Sequence, residues 1–161
     1  MRLLRRRSRW DQQPLESCDV LLASDGQREF SAKAVERAAA LADSGAVSVL
    51  TIARIYGTQF GLPHPGLMPT RDELAERRAW VDHAMKRVGS RGAVVDGQVA
   101  ATRKPAKLIA NVAMRRGARV IVIDETTRTG LRRTIEGNIG RDVSRKLRNT
   151  GIVVEIVPVV R

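Results

Sequence analysis

From Ala118 to Ile139 the sequence reads Ala-Arg-Val-Ile-Val-Ile-Asp-Glu-Thr-Thr-Arg-Thr-Gly-Leu-Arg-Arg-Thr-Ile-Glu-Gly-Asn-Ile. Its residues Val120 to Ile123 form an unbroken run of β-branched apolar side chains, which is typical of a strand covered on both faces. The run stops at the polar segment Asp124 to Thr129, and a helix start follows near Gly137 and Asn138. Ligands of open α/β sheets bind beyond the carboxyl ends of the strands, so we expect a site here.

Outside this stretch, apolar runs and helical periodicity alternate along the whole chain. This alternation predicts an α/β fold: a single doubly wound domain with a parallel sheet and helices on both faces. The other predicted strands are Cys18–Ala23, Ala46–Ile55, Gly92–Ala101 and Ile152–Val160. The predicted helices are Ser31–Ser44, ended by Gly45; Thr70–Val88, with a Thr70/Glu73 capping box; one from Lys104-Pro105, capped by Thr102; and one from about Glu136 to Gly151.

The strand, loop and helix start at 118–139 resemble the universal stress protein (UspA-like) family. In that family this strand runs into a phosphate-binding loop of glycine, two residues, glycine, nine residues, glycine, then serine or threonine. Those positions fall on Asp124, Thr127, Gly137 and Asn138, so only the third glycine is kept. The resemblance covers about Cys18 to Pro158 and implies a five-stranded sheet of order 3-2-1-4-5.

The replaced glycines bear on the ligand. A loop glycine lets backbone N–H groups close on phosphate oxygens, because it has no Cβ. Asp124 and Glu125 instead bring two carboxylates to the expected anion site, where like charges about 4 Å apart repel by roughly 1 to 4 kcal/mol. Nearby positive charge that offsets this repulsion comes from Arg128, Arg132 and Arg133. We therefore expect no tightly held cofactor and no ordinary ATP binding.

A weak ligand of the AMP or adenosine type is compatible with the resemblance. Its expected contacts are Asp25, Ile123, Gly130, Gly137 and Asn138. For Asp25, in the Asp-Gly pair that ends the first strand, two roles remain open. The carboxylate either accepts hydrogen bonds from a nucleoside, or it starts the turn and caps the next helix.

Composition and motifs argue against a disulfide, a Cys/His metal framework, a membrane span and an enzyme. The 161 residues are 43% hydrophobic but only 3% aromatic, and Cys18 is the single cysteine, so no intramolecular disulfide or Cys/His metal framework is expected. No stretch approaches the roughly 18 apolar residues of a membrane span, so we expect a cytoplasmic protein without one. No nucleophile elbow or triad emerges, and the sequence predicts no enzyme.

The charge is strongly positive, at +12 with 29 Lys and Arg against 17 Asp and Glu. Residues 1–17 are interpreted as a basic flexible N-terminal arm, and residues 18–161 as the α/β domain. The arm either binds RNA, a ribosome or anionic lipid, or is a solvated tail. The loop 56–69, rich in glycine and proline, is either a lid or partner-binding loop, or a plain crossover.

The final strand is long and apolar and lies at the predicted sheet edge. Such an edge favours self-pairing across a two-fold axis, and the resembled family commonly dimerises there, so a homodimer through this strand is expected.

Two functional hypotheses follow. The first is a dimeric regulatory or interaction module of the universal stress protein type that does not hold ATP tightly. The second is a nucleic-acid- or ribosome-associated protein that uses the fold as a scaffold and meets phosphates with its arginines. The arginines concerned are those of the arm and Arg128, Arg132, Arg133, Arg141 and Arg145. The scarcity of aromatic side chains for base stacking counts against the second hypothesis.

Overall fold

The computed structural model describes residues 14–55, 68–126 and 138–159. These residues form five strands and four helices that alternate along the chain. In order they are β1 (Val20–Ser24), α1 (Ala32–Ala42), β2 (Ala46–Arg54), α2 (Arg71–Gly89), β3 (Val94–Thr102), α3 (Pro105–Arg116), β4 (Val120–Thr126), α4 (Ile139–Lys146) and β5 (Val153–Val159). The predicted alternation is confirmed.

The strands form one parallel sheet of order β3-β2-β1-β4-β5, as the resemblance implied. The chain order of neighbours reverses between β1 and β4. There Val20 is in register with Val120 and Ser24 with Asp124, so the ends of these two strands lie side by side. Because all strands run the same way, the residues after Ser24 and Asp124 meet at one edge of the sheet.

Two hydrophobic clusters cover the two faces of the sheet. One packs alternate residues of β1, Val20 and Leu22, with apolar residues of α1 and α2. The other packs Leu21 and Ala23 with apolar residues of α3 and α4. These four residues of β1 are fully buried. Burying a Leu side chain stabilises a fold by about 1.5 to 3 kcal/mol. The aliphatic composition therefore supplies a two-sided core.

Helix ends agree with the sequence in part. The capping box is confirmed: Glu73 N donates to Thr70 Oγ1 at 3.2 Å, and Thr70 N donates to Glu73 Oε2 at 2.7 Å. The expected cap of α3 is wrong. Thr102 Oγ1 accepts from the backbone of Lys104 at 3.0 Å, and Lys104 itself is the N-cap without a side-chain hydrogen bond to the helix.

The end of α1 also differs from the prediction. The helix stops at Asp43 and Ser44, which adopt the left-handed conformation with φ of 46° and 64°, and not at Gly45. Gly45 is required for another reason: a Cβ there would collide with the Asp19 carboxylate, whose Oδ2 accepts from Ala46 N at 2.8 Å. The glycine thus serves a close approach, while the polar Asp43 tolerates the turn.

The helix α4 begins at Ile139 with Asn138 as N-cap, whereas the predicted start at Glu136 lies outside the described residues. Ile139 and Val143 of α4 and its C-cap residue Leu147 are buried. None of the helices within residues 14–55, 68–126 and 138–159 is both long and apolar enough to cross a membrane.

The edge strand β5 is partly uncovered. Val153 and Ile156 are 54% and 39% exposed. Glu155 is held by Arg37 of α1, whose Nε and Nη2 donate to its two carboxylate oxygens at 2.7 and 2.8 Å. These hydrogen bonds keep the pKa of Glu155 below its usual range. The strand therefore presents an apolar edge beside one neutralised carboxylate.

Arg116 stands in the last turn of α3, where a basic side chain is expected to be exposed and to complement the helix dipole. Arg116 is instead only 8% exposed. Its Nη1 donates to Ser48 Oγ at 2.6 Å and to Asp96 Oδ2 at 2.8 Å. Ser48 and Asp96 are register partners on β2 and β3, and Ser48 Oγ donates to Asp96 Oδ1 at 2.6 Å. The guanidinium therefore closes a polar network against the sheet. In the same place, burial raises the pKa of the Cys18 thiol.

We expect Arg116→Met to lower the free energy of unfolding by about 3 to 5 kcal/mol, because it leaves the Asp96 carboxylate buried without its cation. The exposed neighbour provides a control: Arg115→Met should change stability by less than about 0.5 kcal/mol. Urea unfolding followed by circular dichroism measures both. Equal stability of the two variants would contradict the assigned network.

Candidate functional site

The candidate site lies beyond the adjacent ends of β1 and β4, where three carboxylates lie along one edge of the sheet. Asp25 follows β1, and Asp124 and Glu125 are among the last three residues of β4. Since successive side chains of a strand point to opposite faces, Asp124 and Glu125 separate and meet different partners. The two carboxylates therefore do not form a convergent pair.

Asp124 is 1% exposed and accepts four hydrogen bonds. Arg28 Nη2 donates to Oδ1 at 2.9 Å, and Arg28 Nη1 donates to Oδ2 at 3.0 Å. Ser31 adds its backbone N at 2.7 Å to Oδ2 and its hydroxyl at 3.0 Å to Oδ1. A forked guanidinium on a carboxylate is one of the stronger polar contacts in proteins, and here it neutralises a buried charge. At the first loop-glycine position, the aspartate thus fastens β4 to the start of α1.

Sequence reasoning missed both partners of Asp124. It assigned the compensating charge to Arg128, Arg132 and Arg133, which lie outside the described residues. Arg28 instead sits in the β1–α1 connection, and Ser31 is also the N-cap of α1, accepting from Ala34 N at 3.2 Å. The adjacency of β1 and β4 in the expected strand order was the available signal, because it brings this connection beside Asp124.

Asp25 has a structural role within the described residues. Its Oδ1 accepts from Gln27 N at 3.1 Å, which is the hydrogen bond of an Asx turn. Its Oδ2 accepts from Thr126 N at 3.0 Å and so joins the ends of β1 and β4. The turn expected of Asp25 is present, but the cap of α1 is Ser31.

Gly26, next to Asp25, has φ of 75° and lies so close to β2 that a Cβ would collide with the carbonyl oxygen of Ile52. The Asp-Gly pair is therefore required by a positive φ and by a close backbone approach. It fixes the close packing of the β1–α1 connection against the end of β2.

The Glu125 side chain lies on the opposite face of the sheet from that of Asp124. It reaches the first turn of α4, where its Oε1 accepts from Gly140 N at 3.2 Å. A helix N-terminus presents unpaired N–H groups and a partial positive charge, which is why phosphates bind there. The carboxylate occupies that position from within the chain. Burial raises the pKa of Glu125, an effect opposed by the backbone hydrogen bonds of Gly140 and Ile139 and reinforced by the charges of Asp25 and Asp142.

The remaining expected contacts divide between two situations. Ile123 is fully buried in the core, and Asn138 Oδ1 accepts from Arg141 N at 2.8 Å as the cap of α4. Gly130 and Gly137 lie outside the described residues. The structure thus brings Asp25, Asp124 and Glu125 to one edge and gives Asn138 a helix-capping contact.

Thr126 closes the described part of β4. The residue is 8% exposed, and its Oγ1 is buried without a hydrogen-bond partner. It lies next to Asp25, since its own N–H donates to that carboxylate.

The sequence model of the universal stress protein family matches residues 19–154. The chain belongs to the universal stress protein family. This match spans β1 to β4 in full and the first two residues of β5, and it includes Asp25, Asp124 and Glu125. No curated protein sequence matches the chain.

Solved universal stress proteins share the fold. A protein from Archaeoglobus fulgidus, solved in complex with dAMP, is 20% identical with a TM-score of 0.57, covering 88% of this chain and 98% of its own. A universal stress protein solved with cAMP is 16% identical with a TM-score of 0.59, over 88% and 98%. A family protein from Burkholderia pseudomallei is 20% identical with a TM-score of 0.57, over 88% and 96%. At these identities the likeness shows the fold.

We expect Glu125 to make stability depend on pH. Its pKa is raised in the folded state, so the folded protein holds the proton to higher pH than the unfolded chain, and stability falls as pH rises from the unfolded pKa through the folded one. Glu125→Gln should remove this loss and be at least as stable as the wild type at pH 7.

Urea unfolding at pH 4.5, 6 and 7.5 measures the effect, and Glu76→Gln, which makes the same substitution at an exposed position of α2, serves as the control. If the free energies of unfolding of Glu125→Gln and Glu76→Gln depend on pH in the same way, the raised pKa of Glu125 in the folded state is contradicted.

Proposed function

We propose that this universal stress protein acts as a regulatory or interaction module, without catalytic activity and without tight binding of ATP. The observation that supports this is the internal use of the site's carboxylates. Asp124 is held by Arg28 and Ser31, and Asp25 by Gln27 and Thr126. A side chain whose charge is matched by its own protein is a poor general base or metal ligand.

The position of Glu125 is the most direct obstacle to a phosphate. A phosphate at the N-terminus of α4 would have to displace this carboxylate from Gly140 N or bind beside its charge. The tethered carboxylate is always present at the site, whereas a nucleotide must bind from dilute solution. A triphosphate, with the largest charge, is disfavoured most.

Relatives in the family have been solved with dAMP and with cAMP, which carry one phosphate each. For this chain we propose at most a weak ligand of the AMP or adenosine type. The buried and unpartnered Thr126 Oγ1 is one group that such a ligand would satisfy at the carboxyl ends of the strands.

Calorimetric titration with ATP and AMP tests the proposal. For the wild type we expect an ATP dissociation constant of about 1 mM or weaker. Glu125→Ala should bind ATP about tenfold more tightly, since it removes a repulsion of the order of 1 to 4 kcal/mol and frees the N–H of Gly140.

Glu76→Ala is the matched control and should leave ATP affinity unchanged, because Glu76 is exposed on α2. Micromolar binding of ATP by the wild type would refute the proposal. An unchanged affinity of Glu125→Ala would show that Glu125 is not the obstacle.

We also propose a homodimer formed through β5. The exposed apolar residues Val153 and Ile156 on this edge support it, because an uncovered apolar edge strand is a pairing surface. The Arg37–Glu155 pair lowers the cost of bringing the Glu155 carboxylate near its symmetry mate.

Sedimentation velocity should show a dimer for the wild type and a monomer for Val153→Asp, because like charges would face each other across the two-fold axis. Val94→Asp, on the opposite edge strand and similarly exposed at 58% against 54%, should remain dimeric. A monomeric wild type, or dissociation of both variants alike, would exclude β5 as the interface.

A further inference from the structure

A groove with a volume of about 770 Å³ runs between α3 and α4. It starts beside Arg54 at the end of β2 and passes the first turn of α3. It then continues between the two helices to Met114 on α3 and Lys146 on α4. Asp25, Asp124 and Glu125 are not among the described residues that line it. The groove includes residues of the first turn of α4, which Glu125 contacts, but otherwise extends along the α3/α4 side of the sheet.

The walls of the groove are basic at both ends. Its described lining contains Arg54, Lys104, Lys107, Arg145 and Lys146, against the single carboxylate of Asp142. Asp142 Oδ1 lies 3.9 Å from Arg145 Nη1, and both side chains are well exposed. This pair therefore neutralises little of the positive charge of the groove. Within the described part of the chain, Lys104, Lys107 and Lys146 make no salt bridge.

The floor of the groove is apolar. It is formed by Pro105, Ala106 and Ala110 of α3 and by Ile139 of α4. Met114, which is 47% exposed, ends the floor with a flexible side chain that adapts to different apolar partners. A ligand that fits these features carries both an apolar face and negative charge.

The dimensions favour a short peptide segment. The twelve residues of α3 span about 18 Å, and the groove follows most of that length. This length matches about three turns of a third helix laid alongside, with one apolar stripe facing the floor and acidic residues facing the lysines.

Two other occupants fit less well. The chain's own N-terminal segment carries Arg2, Arg5, Arg6, Arg7 and Arg9 without an acidic residue among its first ten, so it would be repelled. Nucleic acid gains from aromatic side chains on which bases stack, and no described residue lining the groove is aromatic.

We infer that the α3/α4 groove binds an acidic amphipathic segment of a partner protein. This inference rests on the proposed function as an interaction module and names the class of partner it takes. Lys107 and Lys146 on opposite walls pair with acidic side chains, while Ala110 and Met114 contact the apolar stripe.

The test uses fluorescence anisotropy with the full-length protein at 150 mM salt. The probe is a fluorescein-labelled helical 14-residue peptide of Glu and Leu with Leu on one face. A second labelled peptide has the same composition with Leu dispersed around the helix, and a labelled 14-nucleotide oligouridylate is the third probe. We expect the amphipathic peptide to bind at least about fivefold more tightly than the dispersed one, since only the former presents a continuous apolar stripe.

The groove variant Lys107→Glu/Lys146→Glu should bind the amphipathic peptide at least about tenfold more weakly. The matched control Lys33→Glu/Lys86→Glu makes the same change of charge on exposed positions of α1 and α2, across the sheet, and should stay within about twofold of the wild type. Met114→Ser should weaken binding without changing charge. Circular dichroism melting establishes that every variant is folded.

If the groove and control variants lose peptide affinity equally, the inference is overturned, because binding then depends only on the net charge of the protein. Preference for oligouridylate, lost in the groove variant, would overturn it in favour of nucleic acid. ATP affinity of the same proteins separates the two proposals: tight ATP binding refutes the proposed function, whereas failure of peptide binding with weak ATP binding refutes the groove alone.

Discussion

The buried carboxylate of Asp124 connects the parts of the chain that build the carboxyl edge of the sheet. A buried, unpaired charge costs several kcal/mol, so its position is stable only if donors surround it. Arg28 and Ser31 supply four hydrogen bonds at 2.7 to 3.0 Å, and these fix both the β1–α1 connection and the first turn of α1. The same connection contains Asp25, which bonds to Thr126 N. One residue at a loop-glycine position thereby links β4 to the β1–α1 connection and to the first turn of α1.

The arrangement of Asp124 also determines what Glu125 does. Because side chains alternate along a strand, anchoring Asp124 on the α1 side directs Glu125 to the α4 side. There it meets Gly140 N, the type of group that binds phosphate at a helix N-terminus. Its raised pKa indicates that burial outweighs the favourable hydrogen bonds, so the carboxylate stays at some cost.

Local patterns were sufficient to predict the strands, the helices and most of the core, because apolar periodicity reflects burial directly. The strand order came from the family resemblance. The polar contacts were not predictable from local pattern, since Arg28 and Asp124 are 96 positions apart and meet only through the β1–β4 pairing. Arg116 was misplaced for the same reason: a basic residue at a helix end is usually exposed, but here Ser48 and Asp96 lie in register beneath it.

The internal use of acids also explains the distribution of charge. Asp96, Asp124 and Glu155 are each paired with an arginine, and Asp25 and Glu125 are bonded to backbone N–H groups. Among the described residues, these carboxylates are directed inward or along the sheet, while the lysines around the α3/α4 groove remain in solvent. Within the described part of the chain, Lys104, Lys107 and Lys146 are therefore not neutralised by these carboxylates, and the electrostatic field of such exposed charges weakens with salt.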